Sequence, residues 1–321
     1  MFCEKRHVKM LRLGNMTGFA TLAVLAVEIV SFPARTAAQQ PGQKTFSSAA
    51  EACKALVAAI EVNDQTAFLS ILGADAKVIL SSGDEVEDKN NRQDFVEKYQ
   101  QMHRLVVEPD GTTTLYVGAE NWPTPIPLVT KGGAWYFDTA VGKQEVLYRR
   151  IGRNELAVIQ VCRELVDAER EYYAEPHDGD LGKQYAQKIY SDPNKHNGLY
   201  WEPAPGEAES PIGPFLASAA AEGYTNNPGQ KLVPFEGYYF RVLNGQGTHE
   251  PGGARSYMAD GRMTGGFAIL AFPAEYRSSG VMTFIVDQGG IVYEKDLGRR
   301  TAEIAKTLTR YDRDVTWRKA E

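Results

Sequence analysis

Arg149, Arg150 and Arg153 stand just before and at the start of a helix that the spacing predicts from about Asn154 to Tyr173. Guanidinium groups grip carboxylates and phosphates through paired hydrogen bonds. A helix N-terminus already carries partial positive charge, so three cations placed there call for something negative. Two readings follow. The arginines pair internally with carboxylates across a junction between two halves of the chain, or they form an anion site with the backbone N–H groups after Gly152. The internal clamp is the reading carried forward. A second constellation is Trp122-Pro123-Thr124-Pro125-Ile126-Pro127, which three prolines hold as stiff extended chain. With Trp135, Tyr136, Phe137 and His103 close by in sequence, it could wall a pocket; otherwise it is a rigid loop capping a core.

Other chemistry finds no foothold in the sequence. There is no Gly-x-Ser-x-Gly elbow and no Ser-x-x-Lys pair. His103, His177, His196 and His249 are scattered, without metal-ligand spacing. His177-Asp178-Gly179-Asp180 begins like a calcium loop, but Gly182 stands where a third oxygen ligand belongs and no Glu closes the loop. The Gly-rich segments 244–253 and 261–266 lack the pattern of phosphate-cradling loops. No cofactor is implied. Asp84, Glu85, Glu87 and Asp88 form a charge run that reads as a solvated loop. Cys53 and Cys162 fall on apolar helix faces and read as buried, unpaired thiols.

The elements that must position these residues follow an α+β order. Helices are predicted over 46–62, over a short stretch after Asn63-Asp64, and over 92–103. Strands follow at 104–108 and 112–118, and at 127–130 and 134–138, with turns at Pro109-Asp110-Gly111 and Lys131-Gly132-Gly133. They should make a curved antiparallel, cone-like sheet. After the helix from Asn154 come a Pro/Gly/Asp/Asn-rich stretch with a short helix at 182–190, then strands at 237–243, 263–272, 281–287 and 290–296. A helix over 301–311 closes the chain. The expected division is a flexible lead at 39–45, an N-terminal α+β domain at 46–148 and a C-terminal α+β domain at 149–321, its long helix packed on an antiparallel sheet.

The first 38 residues have the parts of a signal peptide: basic Lys5, Arg6, Lys9 and Arg12, an apolar run from Met16 to Val27, then Pro33 and small Thr36, Ala37 and Ala38. Glu28 cuts the run short of the roughly 20 apolar residues that a membrane span needs. Cleavage after Ala38 is expected, giving a periplasmic or secreted protein with no membrane span. The 321-residue chain has a formal net charge of −6, and loss of the basic leader makes the remainder more acidic. That balance argues against nucleic acid as a partner.

The runs ENWPTPIPLV (120–129), YRRIGRNELAVIQVCRELVDAEREYY (148–173), GLYW (198–201), SPIGPF (210–215) and VMTFIVDQGGIVYEKDLG (281–298) are similar to the exported bacterial family DUF2950. The resemblance implies export and a common architecture, with no established activity. The C-terminal half also resembles the globular heads of type IV pilin-like proteins, a helix on a four-stranded antiparallel sheet. Here, however, Arg163, Glu164, Asp167, Glu169, Arg170 and Glu171 stand on a helix that pilins make apolar. The N-terminal half loosely resembles the cone-shaped nuclear-transport-factor-like fold. The resulting expectation is an exported binding or assembly module with an envelope protein as possible partner. The alternative is an envelope hydrolase using carboxylates in an aromatic-lined pocket.

Overall fold

Ser48 and Asp64 start the first two helices by accepting hydrogen bonds from backbone N–H groups that would otherwise lack partners. Ser48 caps α1 (Ala49–Glu61) through Glu51 N, and Asp64 caps α2 (Gln65–Leu72) through Ala67 N. The computed structural model describes residues 39–180, 182–214, 219 and 233–321. The leader expected over 1–38 lies outside the described residues. A short α3 (Lys77–Leu80) leads to α4 (Glu85–Gln101).

Helix α4 begins at Glu85 rather than at the expected Arg92, so the acidic run expected as a solvated loop forms its cap and first turn. Asp84 is its N-cap, accepting from Val86 N and Glu87 N, and three acids in the first turn complement the helix dipole. Asp84, Glu87 and Asp88 are buried, not solvated.

Strands β1 (His103–Val107), β2 (Thr113–Val117), β3 (Trp122–Pro123), β4 (Leu128–Lys131) and β5 (Ala134–Phe137) form an antiparallel sheet. Its order is β1-β2-β4-β5, with β3 paired to β2. Gly132 and Gly133, at φ of 59° and 81°, make the two-residue turn between β4 and β5, a conformation that side chains resist. On β2, Leu115 and Val117 alternate inward. With Phe46, Cys53, Leu56, Leu72 and Phe137 they build an N-terminal core.

Helix α5 runs unbroken from Thr139 to Ala174, about 54 Å at 1.5 Å per residue. The sequence reading began it near Asn154. The earlier start is set by Asp138, whose side chain accepts from Val141 N. The three arginines therefore lie inside a helix, where local backbone N–H groups serve helical bonds and the end-dipole argument does not apply. The first half of α5 packs Val146 and Leu147 on the N-terminal core, and its second half packs Val158, Cys162, Leu165 and Val166 on the C-terminal one.

That second core lies on an antiparallel sheet of order β14-β13-β12-β11-β6. Its strands are β6 (Tyr238–Leu243), β11 (Ala268–Pro273), β12 (Met282–Asp287), β13 (Tyr293–Asp296) and β14 (Arg318–Lys319). Two small ribbons intervene, β7 (Gly245–Gln246) with β8 (Arg255–Ser256) and β9 (Met258–Ala259) with β10 (Arg262–Met263). The molecule is thus α+β, with a long helix packed on a C-terminal sheet.

Two expected helices change. Residues 182–190 are irregular, because Tyr185 N donates to Met263 O and Ala186 N to Glu169 Oε2, so tertiary partners take the backbone groups a helix would use. The last helix stops at Thr307, short of the expected 311, and Tyr311 N turns to Gly245 O beside β7. Cys53 and Cys162 are buried and unpaired, each thiol pushed up to about 12 by burial. Among the described residues no helix is long and apolar enough to cross a membrane.

Candidate functional site

The N-terminal half holds a half-open cavity of about 260 Å³. Its apolar wall comes from Leu56, Ala59 and Ile60 of α1, Phe68 and Leu72 of α2, Ile79 and Leu80 of α3, Phe95 of α4, Leu115 of β2, Phe137 of β5 and Val146 of α5. The proline-rich loop supplies Trp122, Thr124, Pro125 and Ile126. Gly142 of α5 lets that loop come close, since a Cβ there would overlap Pro125 O and Ile126 Cα.

Four arginines reach the cavity, and they are held differently. Arg150 is buried. Its Nη2 donates to Ile79 O at 2.8 Å, and its Nη1 to Ser81 O at 3.3 Å and Ser278 Oγ at 3.4 Å. Burial lowers its pKa from the ordinary arginine value. This side chain fastens the end of α3 to α5 and to the turn before β12. Arg153 is half exposed and donates to Glu87 Oε1 at 2.8 Å. Glu87 also receives Asn154 Nδ2 at 3.1 Å and Asn91 Nδ2 at 3.3 Å. Arg149 Nε donates to Glu145 Oε1 at 2.7 Å and Nη1 to Pro123 O at 3.1 Å, which ties α5 to the loop. Its guanidinium lies 5.3 Å from the Trp122 ring centroid, and Lys98 Nζ lies 5.5 Å from the same ring. Arg92 of α4 makes no hydrogen bond or ion pair among the described residues.

Of the residues singled out in the sequence, Trp122, Arg149, Arg150 and Arg153 meet at this cavity. Trp135 and His103 do not line it. Trp135 exchanges backbone hydrogen bonds with Phe46. His103 is exposed on β1, stacked on Tyr99 at 3.9 Å with Nδ1 2.9 Å from Tyr99 O. Sequence reasoning missed Arg92, although it precedes Phe95 and Val96 by one helical turn and so shares their face. Thr124, part of the proline-rich stretch read as a possible pocket wall, has its Oγ1 buried without a partner among the described residues while its N–H donates to Leu115 O.

The two carboxylates on the cavity wall are committed to backbone. Asp64 caps α2, and both oxygens of Asp88 accept from Ser82 N, at 3.1 and 2.9 Å. The Asp178 carboxylate likewise accepts from His196 N, and Asp180 from Gly182 N and Gln184 Nε2. Among the described residues no group of three or more His, Cys, Asp or Glu could hold a metal ion.

Fold and site together define an α+β protein with a small-molecule-sized apolar cavity whose rim is rich in arginine. The model of the family "Protein of unknown function (DUF2950)" matches residues 43–320, and the chain belongs to that family. Comparisons with curated proteins and with solved structures gave no match.

Proposed function

We propose that this protein is an exported binding module of the bacterial envelope and that its ligand site is the N-terminal cavity. The leader pattern over residues 1–38 supports export. The observation that carries the binding reading is the cavity itself, a largely apolar space of about 260 Å³ that opens from the N-terminal core. It exceeds the roughly 150 Å³ cavity that takes up benzene and approaches the lower end of the 300–1,000 Å³ range of small-molecule sites. The hydrolase alternative is weaker, because the carboxylates on the cavity wall, Asp64 and Asp88, are held by backbone N–H groups. The assembly reading draws on the helix-on-sheet arrangement of the C-terminal half.

Calorimetric titration with decanol, a neutral apolar probe, tests the binding reading. Saturable binding with a negative heat-capacity change is expected. Ala59→Leu, which fills the space from its α1 wall, should abolish it without unfolding the protein. Absence of binding to the wild-type protein would overturn the proposal.

A further inference from the structure

The rim of the cavity has more hydrogen-bond donors than its neighbours can use. Asp64 and Asp88 line the same space, but Asp64 Oδ1 and both oxygens of Asp88 already accept backbone N–H groups. Glu87 and Glu145 answer one N–H each from Arg153 and Arg149. A guanidinium carries more N–H groups than these bonds occupy. Arg92 has no bond or ion pair among the described residues, and Thr124 Oγ1 is buried without a partner. Such an arrangement leaves unanswered N–H donors, those of Arg92 above all, at the edge of an apolar space, which suits a ligand with an apolar body and an acceptor-rich head.

Resting on the binding reading above, we infer that the cavity takes a single-chain acyl carboxylate, with its chain against Leu56, Ile60 and Leu115 and its head at Arg92. The volume limits the guest to one chain of moderate length. Trp122, held between Lys98 and Arg149, forms part of the mouth. A carboxylate matches the paired donors of a guanidinium, and an uncommitted arginine gives up no existing partner to receive it. Arg150 is excluded from this role because its bonds hold the end of α3 in place.

Calorimetry with decanoate and decanol, which share a chain and differ in the head, separates this inference from the reading beneath it. Decanoate should bind at least about tenfold more tightly than decanol at low salt, as expected for charge-assisted hydrogen bonds. The difference should shrink as salt is raised. Arg92→Gln should bring decanoate to the affinity of decanol, and an unchanged melting temperature of the ligand-free variant shows it to be folded. Equal affinities in the wild-type protein would overturn the carboxylate inference and leave the cavity as a neutral apolar site. A preference that persists in Arg92→Gln, or that ignores salt, would overturn the assignment to Arg92. Failure of both ligands to bind would overturn the cavity reading itself.

Discussion

The two cores share helix α5 but are filled in different ways. In the C-terminal core Ala268 to Ala271 and Phe284 to Val286, on two central strands of the sheet, are fully buried. In the N-terminal core the helices, the sheet and the proline-rich loop surround open volume, with charged side chains at its edge. Tight packing of the first kind maximises dispersion contacts and excludes water. Unfilled apolar space forgoes those contacts, a cost of about 24 cal/mol per Å³ in measured cavity series. On the function proposed above, stability belongs to one end of α5 and ligand binding to the other.

Equivalent truncations at the two ends are the severest test of that contrast. Phe284→Ala, in the sealed core, should cost about 3–5 kcal/mol in urea unfolding. Phe95→Ala, on the partly exposed cavity wall, should cost about 1–2 kcal/mol, because Phe95 already faces space. Equal losses would mean that the cavity wall is packed as tightly as the sheet, and the comparison would fail.

The arginines sharpen the same division. Arg150→Ala strands the buried carbonyl of Ile79 and leaves Ser81 O to Ser278 Oγ alone, and should cost about 2–4 kcal/mol. Arg153→Ala removes the half-exposed partner of buried Glu87, which keeps Asn154 and Asn91, and should cost about 1–2 kcal/mol, less than Arg150→Ala. Thermal melting of the two variants in one buffer compares them. A reversed order would place the structural clamp at Arg153.

A smaller effect, visible only with pH, tests how well the C-terminal core excludes water. Glu169 is fully buried on α5, and burial raises its pKa well above the ordinary value. Its Oε2 accepts from Ala186 N at 2.8 Å, while Oε1 has no partner. The folded state thus holds a proton that the unfolded chain releases near pH 4.3, so this group's stabilisation is complete below that pH and is lost as pH rises through the folded pKa. Glu169→Gln keeps the acceptor and carries no charge. The variant should match the wild-type protein in acid and exceed it by on the order of 1 kcal/mol once pH is well above the carboxylate range. Parallel stability–pH curves would show that the carboxyl is hydrated and the seal incomplete.

Much of this architecture was legible where the signal is local. The strands at 103–107, 113–117 and 282–287 follow from alternation and flanking turns, and the β4–β5 turn from Gly132-Gly133. What escaped depends on partners far away in sequence. The acidic run of α4 is buried because Gly237 N meets Asp84 Oδ2 at 3.1 Å and Arg153 meets Glu87, contacts that no local pattern encodes. The early start of α5 was hidden by a strand signal running up to Asp138. At the site, arginine and tryptophan stood out by type. The uncommitted state of Arg92 and the close approach at Gly142 are properties of the assembled fold alone.

The most direct test of the division is methyl NMR of the full chain, labelled at Ile, Leu and Val and titrated with decanol. The account predicts shifts at Leu56, Ile60, Leu72, Ile79, Leu115, Ile126 and Val146, which line the cavity, and none at Ile269, Leu270, Ile285 or Val286. Shifts centred on the second group, or a spectrum unchanged at saturating probe, would contradict it.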